Sequence, residues 1–281
     1  MTVYSPRSIS EACEIYAEHP DAHVLAGGTD FMVEVNFNHR KPTVVISLGK
    51  ISELRQWSHN ESSNEIIIGA TMPFSVCEQE PLAGFIPALA QAARTVGSPQ
   101  IRNAGSIGGN LGTASPAGDS LPVLSALDAM VETHSLSGSR RISIHDFLVG
   151  PKKNALTKSE FVTSIHLPIG NGPQMYAKVG VRNAMVISIA SVCFAIQDNT
   201  PRVALGSVGP TVLRARQAEQ FFSTEIQNAS GPVSAEIFNT FAERVAEESR
   251  PIDDHRSTAQ YRRHAVRTLA RRLAEKSVTH V

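Results

Sequence analysis

Two rhythms of apolar residues run along this chain, one helical and one alternating. Over Ser8–Glu18 the apolar positions Ile9, Ala12, Ile15 and Tyr16 share one helical face, Ser8 or Ser10 caps it, and Pro20 ends it. Val24-Leu25-Ala26 is a short apolar run that leads into Gly27-Gly28. Thr29-Asp30 then offers a cap for a helical turn from Phe31 to Val35. Thr43–Leu48 and Glu65–Gly69 read as buried strands rich in β-branched residues. Phe74–Val96 reads as helix, broken in two by Pro81 and Gly84, with Ile86, Leu89, Ala90 and Ala93 on the buried face. Leu121–Met130 follows as a helix with Pro122 in its first turn, where proline is tolerated. Strand patterns then occupy Met130–Leu136, Arg141–Ile144 and Phe161–Leu167.

The rhythm changes at Gly170-Asn171-Gly172-Pro173, which is turn chemistry and the candidate domain boundary. Beyond it lie three strand-like runs, Gln174–Val181, Val186–Gln197 and Arg202–Gly206. Three helices follow, near Arg214–Phe222, Ser234–Ser249 and Thr258–Lys276. The expected class is α+β: a mixed first half over 1–170, then a smaller second part over 174–281 with a three-stranded sheet and helices.

One stretch fits neither rhythm. Gly97–Asp119 carries Gly97, Gly105, Gly108, Gly109, Gly112 and Gly118 among small polar residues, and it reads as a loop. So many glycines suit φ > 0 or close backbone approach. Ser106, Gly108, Gly109, Asn110, Thr113, Ser115 and Asp119 offer donors and acceptors to a polar ligand. A smaller echo, LAGGTD, sits at Leu25–Asp30, where strand, Gly-Gly and capped turn gather backbone N–H groups suited to an anion. Neither stretch contains GxxxxGK[ST] or a GxGxxG that opens a helix, which argues against a P-loop and a Rossmann site. Read alone, each short motif is a tight turn. Together they point to a ligand approached closely by backbone.

Charge narrows the partners. The 281 residues carry 26 basic and 26 acidic side chains, which gives no reason to expect nucleic acid. The N-terminus lacks the apolar run of a signal peptide, and no stretch approaches the ~20 apolar residues of a membrane helix. Cys13, Cys77 and Cys193 form no CxxC pair, which argues against disulfides, zinc or a cluster held by this chain alone. A reducing cytoplasm is the expected compartment. The histidines, from His19 to His280, show no HxH or HExxH spacing and read as solvated or structural. Arg262, Arg263, Arg267, Arg271 and Arg272 form a basic run on the last helix, a solvated face or a docking face, with Asp253-Asp254 as candidate partners.

AGGTD at Ala26–Asp30 together with IRNAGSIGGNLGTASPAGDSLP at Ile101–Pro122 resembles the FAD-binding medium subunit of molybdenum hydroxylases, such as xanthine dehydrogenase and carbon monoxide dehydrogenase. YAKVGVRNAMVISIASV at Tyr176–Val192, ALGSVGPTVLRARQAE at Ala204–Glu219 and PIDDHRSTAQYRRHAVRTLARR at Pro251–Arg272 are similar to later segments of that family, in the same order. The resemblance implies a p-cresol methylhydroxylase-type FAD-binding domain over 1–170, in subdomains of about 1–56 and 57–170, and a C-terminal flavoprotein domain over 174–281.

By position it implies that Leu25, Ala26, Gly27, Gly28, Thr29, Asp30, Phe31 and Met32 wrap the FAD diphosphate and ribityl chain. Ser106, Gly108, Gly109, Asn110 and Thr113 meet the cofactor from the other side, Asp119 accepts from flavin hydroxyl groups, Val96 and Val162 pack on it, and Lys178 lies near the flavin end. Without the resemblance, Asp119 is equally the cap of the helix after it, and Lys178 an exposed strand lysine. Asn183-Ala184-Met185 stands where animal xanthine dehydrogenases carry acidic residues, which leaves the acceptor open. Asp30 and Asn110 favour the xanthine dehydrogenase-like branch.

The function implied is that of a flavoprotein electron-transfer subunit. A large partner subunit holds the molybdopterin cofactor, a small one holds [2Fe-2S] clusters, and NAD+ or another acceptor takes the electrons. No side chain is assigned as a catalytic acid or base, and no metal site is expected here. A self-contained FAD-dependent reductase of the same fold, a carbon monoxide dehydrogenase-type medium subunit and a non-enzymatic assembly protein are the alternatives.

Overall fold

The computed structural model describes residues 1–228 and 231–278, so His280 lies outside the described residues. The chain divides into two compact units that are not a single cut of the sequence. The first holds Met1–Val76, Ser98–Ala114 and Asp128–Pro168; the second holds Cys77–Gly97, Ser115–Leu127 and Ile169–Val281.

In the first unit, Val44–Ser47 lies between Thr2–Tyr4 and His23–Leu25 in a parallel three-stranded sheet. Parallel strands need crossovers: the helix Ile9–Glu18 leads from Thr2–Tyr4 to His23–Leu25, and Phe31–Asn36 leads from there to the neighbouring Val44–Ser47. Its N-cap is Ser8, whose hydroxyl accepts from the Glu11 N–H. Ala12 and Cys13 on that helix pack with Ile46, Leu48, Ile51 and Leu54. A second sheet is antiparallel, in the order Trp57–Asn60, Glu65–Gly69, Phe161–Pro168, Met130–Ser135, Gly138–Ser143. The strands Thr2–Tyr4 and Trp57–Asn60 escaped the sequence reading because both are short and mostly unburied, so neither shows a strong apolar period.

The second unit is built on an antiparallel meander, Gln174–Val179, Ala190–Gln197, Thr200–Gly206 and Leu213–Arg214. The expected three strands thus gain a fourth of two residues. The helices Arg216–Asn228, Ala235–Glu248 and Ala259–Val278 cover the sheet. Phe194, Phe222 and Phe241 meet at their centre, with 4.5 Å between the Phe222 and Phe241 ring centroids. Arg262 belongs to this interior and not to a solvated face. It is buried, donates to the Ile189 and Ser207 carbonyls, and pairs with Asp254 at 2.7 Å. Arg267 and Arg271 of the same run pair with Glu243 and Glu275.

Several boundaries differ from the sequence pattern. Over Phe74–Val96 there are three pieces, Phe74–Cys77, Leu82–Phe85 and Pro87–Thr95. Gly84 lies inside the second piece, and the second break falls before Pro87, whose ring disfavours helix at the residue preceding it. The expected helix Leu121–Met130 runs only over Ser120–Ala126, because Met130 already pairs with Ser143 in the sheet of the first unit. Of Val186–Gln197, only Ala190–Gln197 is strand.

The largest correction concerns Gly97–Asp119, which is mostly helical. Ser98 caps Pro99–Ala104, with Pro99 at the first helical position, and the Ser106 hydroxyl accepts from Gly109 N–H to cap Ile107–Thr113. Its six glycines hid these short helices, since glycine weakens helix propensity by ~1 kcal/mol per residue. Of those six, only Gly97 has positive φ.

Candidate cofactor site

The two glycine segments meet within the first unit, and their glycines do different work. A Cβ on Gly27 would lie 1.7 Å from the Ala104 carbonyl oxygen, and one on Gly108 would lie 2.5 Å from Ala70. These two glycines bring backbone onto backbone, joining Leu25–Asp30 to the end of Pro99–Ala104 and Ile107–Thr113 to the sheet. The Gly108 N–H donates to Ala70 O, and Phe74 N–H donates to Gly105 O. Gly28 has φ +74°, a conformation that L side chains rarely adopt.

Gly109 and Gly112 are of another kind. A Cβ on Gly109 would meet only Ser106 Oγ at 3.3 Å and Ala26 Cβ at 3.9 Å, and one on Gly112 would meet nothing within 4 Å. Bare backbone here faces open space beside Ala26. Such a surface lets a bulky ligand come close to the main chain, and it leaves room for the diphosphate of FAD.

Asp30 does not cap the helix Phe31–Asn36. Its backbone is already helical, and its Oδ2 accepts from the Thr113 hydroxyl at 3.2 Å. The carboxylate therefore ties the two glycine segments together. The helix it precedes is braced behind: Arg40 donates to Glu34 at 2.7 Å and lies 5.3 Å from the Phe31 ring centroid, while Lys152 approaches Glu34 at 3.5 Å. Leu25 ends its strand opposite Ser47, and Met32 is largely exposed. Asn110 N–H donates to Ser106 O inside the capped helix. Val162 is buried in the central strand, beside the register shift between Val162 and Ser164.

Val96, Asp119 and Lys178 belong to the second unit. Val96 is the C-cap of Pro87–Thr95. Asp119 directly precedes Ser120–Ala126 but makes no side-chain cap. Its carboxylate is 8% exposed and takes Lys178 Nζ on Oδ2 at 2.5 Å and the Tyr176 hydroxyl on Oδ1 at 2.9 Å. Lys178 is not an exposed strand lysine. Its side chain is 7% exposed, and Nζ also donates to the carbonyls of Thr95 at 2.9 Å and Val186 at 3.0 Å, which uses all three of its N–H groups. Burial pushes the Asp119 carboxyl upward, and the Lys178 ammonium with the Tyr176 and Thr95 hydroxyls pulls against that. Burial and the adjoining Asp119 charge raise Tyr176 well above the ordinary phenol range.

Tyr176 and Thr95 were missed by sequence reasoning. Tyr176 stands two residues from Lys178, on the same face of a strand, and that spacing was the available signal. Nothing local marks Thr95. Gly206 completes the arrangement, since a Cβ there would lie 2.3 Å from Ser191 Oγ and 2.8 Å from Pro122 Cγ, so its absence admits both. Among the described residues, no group of three or more His, Cys, Asp or Glu could hold a metal ion, and no helix is long and apolar enough to cross a membrane.

Known proteins resemble this chain along most of its length. The FAD binding domain in molybdopterin dehydrogenase matches residues 1–170, and the CO dehydrogenase flavoprotein C-terminal domain matches residues 175–277. The chain is 34% identical to the nicotinate dehydrogenase FAD-subunit of Eubacterium barkeri, over 77% of each chain. It is 28% identical to the xanthine dehydrogenase FAD-binding subunit of Escherichia coli O157:H7, over 96% of this chain and 94% of that one. In fold it is similar to a chain of quinoline 2-oxidoreductase from Pseudomonas putida 86, with TM-score 0.91 at 22% identity, covering 100% of this chain and 97% of that chain. The glycine cradle and the whole-length matches therefore lead to one conclusion: the chain belongs to the family of FAD-binding oxidoreductase subunits of molybdopterin dehydrogenases, and its cofactor is FAD.

Proposed function

We propose that this chain is the electron-transfer flavoprotein subunit of a xanthine dehydrogenase-like molybdenum hydroxylase. A small partner subunit delivers electrons from iron–sulfur clusters, a large one holds the molybdenum cofactor, and NAD+ or another acceptor receives the electrons. When bound, FAD supplies the exchange between one-electron and two-electron carriers. This chain's residues hold and orient it. The open backbone at Gly109, beside Ala26, is the observation that carries the reading, because a Cβ-free surface of this kind suits a diphosphate.

In this reading Leu25–Met32 and Ser106–Thr113 of the first unit form the diphosphate clamp. Val96, Val162, Asp119 and Lys178 are assigned to the same cofactor by their positions in the family pattern. With every N–H of Lys178 engaged within the chain, its part is to hold Asp119, Thr95 and Val186 in place. The domain reading is a p-cresol methylhydroxylase-type FAD-binding domain over 1–170 and a flavoprotein domain over 174–281. It is supported by a parallel sheet over residues 2–47, an antiparallel sheet over 57–168 and a separate meander over 174–214. Three free, buried cysteines fit a reducing cytoplasm.

The test is native purification followed by flavin and metal analysis of every co-eluting chain. The expected result is an FAD spectrum in this chain and molybdenum with iron in its partners. A flavin-loaded chain that never co-elutes with a molybdenum protein would favour the self-contained reductase. A chain without flavin would overturn the proposal.

A further inference from the structure

We propose that Tyr176 is a positioning residue for Asp119: its phenol holds Oδ1 while Lys178 holds Oδ2, which keeps the carboxylate ionised and turned to accept hydrogen bonds from flavin hydroxyl groups. The inference rests on the assignment of Asp119 to FAD above. It starts from a group that assignment leaves unused, a tyrosine 6% exposed whose hydroxyl donates to Asp119 at 2.9 Å.

The geometry is that of a fixed carboxylate. An ionised carboxylate offers about four acceptor positions. One on Oδ1 is taken by Tyr176 and one on Oδ2 by Lys178. The Thr95 hydroxyl, 2.7 Å from Ala92 O and 3.5 Å from Oδ2, is a weaker third donor to the carboxylate. One position remains for a ligand, on Oδ1 beside Tyr176. Tyr176 is itself held. Its backbone N–H donates to Gln91 Oε1 at 2.8 Å, and Ser191 is a further partner of its hydroxyl.

The charged and titratable groups around the carboxylate come from more than one element. Lys178 and Tyr176 face it from Gln174–Val179, and Cys193 lies beside Tyr176 on the neighbouring strand Ala190–Gln197. The helix end at Thr95 presents only a hydroxyl and a carbonyl. Lys178 is thus the single positive charge among these, and Tyr176 is the neutral donor that shares the carboxylate with it. A hydrogen bond to an ionised acceptor favours the ionised form. Removing the phenol hydroxyl therefore makes Asp119 easier to protonate, and a protonated Asp119 is the poorer acceptor for a flavin hydroxyl.

The experiment compares the full chain with Tyr176→Phe, with Asp119→Asn and with the double variant. FAD affinity is measured by flavin fluorescence from pH 5 to 9, and thermal stability is followed in parallel. For Tyr176→Phe the expected result is about tenfold weaker FAD binding near neutral pH, in line with loss of a hydrogen bond to a charged group. Its FAD release on acidification should begin at a higher pH than in the natural chain. In the Asp119→Asn background the same change should leave the pH profile unmoved. Tyr176→Phe that lowers stability while affinity and pH profile match the natural chain would overturn the inference and leave the FAD reading standing. A natural chain that binds no FAD at any pH would overturn that reading first.

Discussion

The two units bring their candidate residues together by opposite means. The first works through missing side chains. Gly27 and Gly108 let backbones touch, and Gly109 leaves a gap beside Ala26. The second works through side chains that are present, buried and mutually satisfied: Lys178, Asp119 and Tyr176, with the carbonyls of Thr95 and Val186. Their buried carboxylates differ too, in how burial and donors balance. Glu160 in the first unit accepts from Arg140, Thr133 and Thr157, and these donors outweigh burial and hold it at about 2. At Asp119 in the second, burial wins over the donors and pushes it upward. The contrast teaches that backbone packed on backbone tolerates no added atoms, whereas a buried charged network tolerates no removed ones.

The sharpest way to break this contrast is Lys178→Met. It leaves Asp119 buried without its counter-ion, a loss of ~3–5 kcal/mol, read as a fall in the denaturation midpoint. A drop below 1 kcal/mol would mean that the network is not under tension from burial. Gly27→Ala follows on the other side. Its Cβ would sit 1.7 Å from Ala104 O, so stability should fall by ~1–3 kcal/mol and FAD binding should be lost with it.

Acid unfolding separates the two carboxylates. The folded value of Glu160, about 2, lies below its ordinary value of 4.5. Its stabilisation is therefore complete above about pH 4.5 and is lost as pH falls toward about 2. Glu160→Gln should cost ~1–3 kcal/mol at pH 7, discounted because Arg140 is half exposed, and the gap to the natural chain should close near pH 2.

Smaller effects sharpen the comparison. Gly109→Ala meets only Ser106 Oγ at 3.3 Å, so stability should stay within ~1 kcal/mol while FAD retention falls, measured by flavin content after gel filtration. If retention is unchanged, the open backbone at Gly109 does not face the cofactor. Asp30→Ala removes one exposed hydrogen bond to Thr113 and should cost under ~1 kcal/mol.

Much of the fold was legible in the pattern of apolar residues. Ile9–Glu18, Val44–Ser47, Glu65–Gly69 and Gln174–Val179 lie within two residues of where periodicity puts them, because each buries a face against a core. The helices within Gly97–Asp119 were not legible. They are held by Ser98 and Ser106 caps and by contacts to Ala70 and Phe74, so their support comes from elsewhere in the chain. Nor was it legible that Pro87–Thr95 and Ser120–Ala126 join the second unit. Nothing in an alanine-rich or leucine-rich helix says which sheet it will cover.

Of the candidate site, the local motifs were readable and the partners were not. AGGTD and SIGGN mark backbone that must come close to something, and this holds wherever the chain folds. Which glycines meet protein and which face open space depends on what approaches each Cα, and only the tertiary structure decides it. The same is true of Lys178, which any strand could carry exposed. It is buried because Asp119, Thr95 and Val186 converge on one ammonium from three separate stretches, and a buried charge must find partners. By itself the sequence determined the positions of close backbone approach and the order of the elements. Tertiary structure decided the neighbours, because the energy of a buried charge or a missing Cβ is set by atoms distant in the chain.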